Sequence, residues 1–268
     1  MKILKSSLLV VAVMTTALVF MACNQKSNTL VEISITPAKQ SMAKGTRQQF
    51  SALGTFTNGM RLFWSQVVIW SSDNTDVARV YNVSGSVSNG LVTAVGEGTA
   101  VITVYDEANN LTSSITITVT DPSSITVMPA NPYMAIGTKH QFSAIALFSS
   151  ATDTQDITTF ATWTTLSPGI AKVIDTSGLL GNGIVTAGTS TGTAIIQADF
   201  PISSSSGTIT ISGTTTLTVT STPIVSIALD PINPIISLAT TTLQQFTAIG
   251  TFRDGSTTPS LTAPWSWS

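Results

Sequence analysis

The chain has 268 residues, of which 43% are hydrophobic and only 9% charged, with a formal net charge of −2. That length accommodates about two domains of roughly 100–150 residues, and the near-neutral balance excludes the clustered basic face that nucleic acid requires. A single cysteine, Cys23, excludes an internal disulfide and a cysteine-based zinc site.

In chain order, Met1 to Lys5 form a short basic start. Ser6 to Gln25 carry no charge, and the apolar run ends at Ala22-Cys23. A basic start, an apolar middle and a small residue at the cut make residues 1–22 a secretory signal peptide. Cysteine directly after Ala22 resembles the lipobox of bacterial lipoproteins, although Phe20 and Met21 are bulkier than its usual leucine and small residue. The resemblance implies that Cys23 is acylated and that the protein is held on a membrane by this N-terminal lipid. Two or three acyl chains, at about 0.8 kcal/mol for each buried CH₂, make such an anchor almost permanent. An uncleaved membrane helix and an ordinary cleaved leader are the alternatives, and all three export the chain. Asn24 stands where an aspartate would favour the inner membrane, which points to the outer one and the cell surface. Residues 23–30 are polar and aperiodic, a tether.

From residue 31 the pattern changes to short alternating runs. "VEISIT", "RQQFSALGTF", "QVVIWSS", "VARVYNV", "GLVTAV", "GTAVITVY" and "SSITITVT" read as strands, with Phe50, Ala52, Gly54 and Phe56 on one face of the second. Asn58-Gly59, Asn89-Gly90 and Asn109-Asn110 are turn signals between them. The series then repeats. Gln141-Phe142 lies 92 positions after Gln49-Phe50, and Trp163 lies 93 after Trp70. An insertion, "FPISSSSGTITISG", lengthens the last hairpin of the second copy. A third copy opens near Pro223 and holds the first two or three strands. It is expected to expose apolar side chains and unpaired edges. The domains expected are residues 31–121, 122–221 and a partial one at 222–268.

These residues resemble the bacterial Ig-like domain, group 2. Ile35, Pro37, Gly45, Phe50, Trp70, Val77, Ala78, Gly90, Thr93, Gly98, Thr99 and Ala100 carry its pattern in the first copy. The second copy departs from it at "WTTLSPG", where the Ser-Ser-Asp turn is lost. The resemblance implies an all-β fold: tandem immunoglobulin-like β-sandwiches, two complete and a third truncated. Trp70 and Trp163 are expected as wedges between sheets, and Gly98 and Gly192 as points of bulge or close approach.

No residue constellation points to catalysis, a cofactor or a metal. His140 is the only histidine, without a G-x-S-x-G elbow, and reads as a solvent-facing strand residue. Asp73 and Asp76 read as a turn rather than a calcium site, which needs several clustered carboxylates. Asp106-Glu107 reads as a hairpin tip. Phe63 and Trp64 are the candidate ligand contacts, since an aromatic pair in a loop can stack on a sugar ring or meet a protein partner. The reading is a non-enzymatic, lipid-anchored surface protein whose repeats act as stalk or adhesion module. The alternative is a carbohydrate-binding module of a larger exported protein.

Overall fold

A computed structural model describes residues 28–38, 41–149, 153–179, 181–204, 207–221, 224–232, 246–252 and 256–258. The leader, Cys23 and most of the tether lie outside them. Among the described residues no helix is long and apolar enough to cross a membrane, and all regular structure is strand.

The first module contains β1 (Leu30–Thr36), β2 (Ser41–Met42), β3 (Arg47–Gln49), β4 (Ser51–Phe56), β5 (Arg61–Phe63), β6 (Ile69–Ser72), β7 (Ala78–Val80), β8 (Leu91–Ala94), β9 (Gly98–Asp106) and β10 (Leu111–Val119). One layer is built from β1-β4-β5 and β3-β8-β7, the other from β2-β10-β9-β6. Neighbouring strands are antiparallel except β2, which runs parallel to β10. Alternation decides which side faces in. On β9, Ala100, Ile102 and Val104 are buried, while Thr99 points outward and is exposed. The inward side chains meet in one core with Phe50, Trp70 and Ile117.

The second module repeats this order with β11 (Ser124–Met128), β12 (Tyr133–Ala135), β13 (Lys139–Gln141), β14 (Ser143–Leu147), β15 (Thr154–Asp156), β16 (Thr162–Thr165), β17 (Ala171–Val173), β18 (Ile184–Ala187), β19 (Gly192–Ser204) and β20 (Gly207–Thr220). Its sheets are β11-β14-β15, β13-β18-β17 and β12-β20-β19-β16. A third pair, β21 (Ile224–Asp230) and β22 (Thr247–Phe252), repeats the β1–β4 ladder, including its register shift near the first residue. Val225, Ile227 and Leu229 of β21 are about half exposed.

Trp70 and Trp163 are both 2% exposed and fill the space between layers. Gly98 and Gly192 are points of close approach: a Cβ on Gly98 would lie 3.0 Å from Val77 Cγ2, and one on Gly192 3.1 Å from Ile170 Cδ1.

The structure corrects three expectations. The run 47–56 is two strands, not one. The chain breaks at Phe50, whose amide donates to the Gly90 carbonyl at 3.0 Å, so β3 pairs with β8 and β4 with β1. Asn89-Gly90 forms the expected turn, closed by Leu91 N donating to Ser88 O at 2.9 Å, but it does not join two strands as a tight hairpin. It ends a ten-residue connection, residues 81–90, between β7 and β8. Gly90 has φ +88°, and a Cβ there would lie 2.5 Å from Phe50 O and 2.7 Å from Trp70 Cζ2. His140 is half-buried rather than solvent-facing, because its ring packs edge-on against Phe142 at 5.8 Å.

Candidate functional site

Phe63 lies opposite Leu53 at the free edge of the β1-β4-β5 sheet and is 78% exposed. The next residue turns back into the module. The Trp64 amide donates to Ala52 O at 2.8 Å, and its ring meets Phe56 edge-on at 5.4 Å. Its indole N–H donates to Asp106 Oδ2 at 2.5 Å. The aromatic pair therefore divides: Trp64 caps one end of the core and Phe63 stands in solvent.

Phe63 and Trp64 line one wall of an open cleft of about 390 Å³. Gln66, Val67 and Val87 line it further, with Val67 59% and Val87 84% exposed. The second module has Asp156, Ile157 and Thr158 at the places of Phe63, Trp64 and Ser65. The equivalence is fixed by bonds: Ile157 N donates to Ala144 O as Trp64 N does to Ala52 O, and Thr158 Oγ1 accepts from Ala144 N as Ser65 Oγ does from Ala52 N. A sandwich of this design folds without an aromatic at that place, so packing does not require Phe63.

Carboxylates take structural parts. Asp106 opposes its own burial with hydrogen bonds from Trp64 and from Asn109, and its pKa lies below the ordinary value. Burial first and nearby Glu97 second push the Asp121 pKa up, against a smaller opposing effect of Lys44. Asp73 Oδ1 accepts the Val101 amide at 2.7 Å and so ties the turn after β6 to β9. Among the described residues, no group of three or more His, Cys, Asp or Glu could hold a metal ion.

Sequence reading missed the buried amides. Asn89 is fully buried. It donates to Ser65 O and Val68 O and accepts from the Val83 amide. Asn182 does the same in the second module with Thr158 O, Ala161 O and the Thr176 amide. Gln49 and Gln141 each donate to two carbonyls, those of Phe50 and Asn89 and of Phe142 and Asn182. The available signal was repetition: the Gln-Phe and Asn-Gly pairs recur at fixed places relative to Trp70 and Trp163.

Residues 31–120 match the family model of the bacterial Ig-like domain (group 2), and the first module is a domain of that family. Ice-binding protein 1 of Shewanella frigidimarina (strain NCIMB 400) is 36% identical over 244 residues, which cover 89% of this chain and 25% of that protein. The chain thus spans about a quarter of the length of the curated relative it matches. Among solved structures, domains 5–6 of the S-layer protein SbsC share 18% identity over 72% of this chain and 98% of that one, with a TM-score of 0.36. Repeats EC1-2 of human protocadherin-24 share 10% over 73% and 100%, with a TM-score of 0.25.

Proposed function

We propose that the chain is a non-enzymatic stalk of an exported bacterial protein, anchored through a lipid on Cys23 and holding a binding segment away from the cell surface. One observation carries this reading: the two sandwiches are joined pole to pole. The turn after β2 lies beside the C-terminal end of β10, and the start of β11 lies beside the end of β14 that leads into the β14–β15 hairpin. Ala43 and Thr46 of that turn are hydrogen-bonded to Gln155 of β15, and Ser41 of β2 to Asp153 just before it. A nine-residue strand such as β10 is about 30 Å long, which sets the scale of what an end-to-end module adds. The family of the first module and the similarity to part of a protein named for binding ice support a spacer role next to a ligand-binding segment. Metabolic labelling with palmitate tests the anchor. Label is expected on the wild type and not on Cys23→Ser, and label retained by the variant would remove the anchor from the account.

A second reading is favoured by Phe63. An exposed aromatic that packing does not need, set at an open cleft, suits stacking on a sugar ring. A glycan array separates the two. Binding that disappears in Phe63→Ala supports this reading, and no binding to any glycan leaves the spacer role alone.

A further inference from the structure

In the first module the central residue of β5 is Leu62, paired with Gly54 and 41% exposed. The equivalent residue of β15 is Gln155, paired with Ala146 and only 2% exposed. A polar residue has replaced an apolar one and is the more buried of the two. The cause is the neighbouring module. Gln155 Oε1 accepts the Ala43 amide at 2.8 Å, and Gln155 Nε2 donates to Thr46 Oγ1 at 2.9 Å. Thr46 is itself fully buried, and its hydroxyl donates to Ala43 O at 2.6 Å. One hydroxyl therefore gives one bond and takes one, and the amide orientation is set by the donors and acceptors it meets. Alongside, Ser41 Oγ donates to Asp153 Oδ2 at 2.7 Å. Ala43, fully buried, belongs to the second module's hydrophobic core rather than to its own. The lengthened β19–β20 hairpin adds a flank, with Pro201, Ile202 and Ser203 lining one cleft together with Lys44, Gly45 and Asp121.

We infer that Gln155 is an amide clamp that locks the first two modules into one rigid body, so that the joint transmits position instead of swivelling. Tandem domains swivel by default unless their interface resists it. Here Ala43 is fully buried, and each turn of the joint would strip partners from a buried carboxamide, a buried hydroxyl and a buried amide N–H. Such groups are costly to leave unpaired, which gives the joint a single favoured angle. The inference stands on the joint's geometry and does not depend on lipid anchoring or on any ligand.

The test is a distance measurement between spin labels on the full chain carrying Cys23→Ser, Thr112→Cys and Lys172→Cys, two exposed positions in different modules. The clamp is removed with Gln155→Leu, the residue that the first module already accommodates at this place, and separately with Gln155→Asn, which keeps the amide but shortens its reach. Far-UV circular dichroism reports whether each variant keeps its sheets. The expected result is one narrow distance distribution with Gln155 present and, in either folded variant, about twofold broadening as domain motion returns. A broad distribution with Gln155 in place would overturn the rigid joint. An unchanged width in the folded variants would overturn the role of Gln155.

Discussion

The smallest unit that explains this fold is a buried amide beside a buried indole. The Trp70 indole N–H donates to Ser65 O, and the Asn89 side chain donates to the same carbonyl, so the long 81–90 connection is fastened to the core at its end. Trp163, Thr158 and Asn182 repeat the arrangement. Removing the Asn182 side chain strips the donor from the buried Ala161 carbonyl and the acceptor from the part-buried Thr176 amide, while Thr158 O keeps the Trp163 indole; a buried group left unpaired costs about 1–3 kcal/mol. Asn182→Ala is therefore expected to destabilise the second module by about 2–4 kcal/mol, read as a lower urea midpoint with unchanged slope. A loss below about 0.5 kcal/mol, the range of ordinary surface changes, would contradict this part of the account. Asp106 gives a pH signature. Its folded pKa is below the unfolded one, so its contribution is present above the unfolded pKa and is lost as pH falls through the folded pKa. Trp64→Phe removes the indole donor to Asp106. Its stability deficit relative to wild type should be full at neutral pH and shrink on acidification below about pH 4. A deficit independent of pH would show that the indole acts through packing alone.

At the scale of strands, much was legible and the exceptions have physical causes. Period-two alternation located β9 and β10, because each has one face on the core and one turned outward, whereas β1 shifts register after Leu30 and leaves Val31 half exposed. Outward threonines such as Thr112 and Thr116 on β10 explain how a chain with so little charge still presents a polar surface. The break at Phe50 was not legible, since alternation continues through it. What ends the strand is a long-range bond to Gly90 that local pattern does not encode. Gln155 was not legible either. A polar residue near a loop reads as a solvated one, and only the neighbouring module makes it a core residue. Phe63 and Trp64 read as one aromatic pair, whereas strand geometry sends one out and the other in. The insertion in the last hairpin of the second copy was visible in sequence, but not its placement along the joint. Ile202 and Ile211 of that hairpin pack on the second module's core. Replacing residues 202–211 by a tight turn is expected to keep the sandwich and cost about 1–3 kcal/mol of apolar burial, measured by denaturant unfolding of the second module. Complete unfolding would show that the arm belongs to the folding unit itself.

For the molecule as a whole, repetition matters more than any single site. Two sandwiches have the same strand order, the same indole wedge and the same amide ties, and they meet through the buried Ala43 and the hydrogen bonds of Ser41, Ala43 and Thr46 to Asp153 and Gln155. Repetition also explains why the duplicated Gly-Thr-Ala strands are so alike although they carry no reactive group: Ala100 and Ala194 are both 1% exposed within equivalent cores. Small-angle X-ray scattering of residues 28–221 tests the end-to-end arrangement most directly. A compact globule of that length has a radius of gyration of about 16 Å. The serial arrangement predicts a clearly larger value and a pair-distance curve with the long tail of a rod. A radius near the compact value with a symmetric curve would mean that the modules fold back on each other, and the stalk would be lost with it.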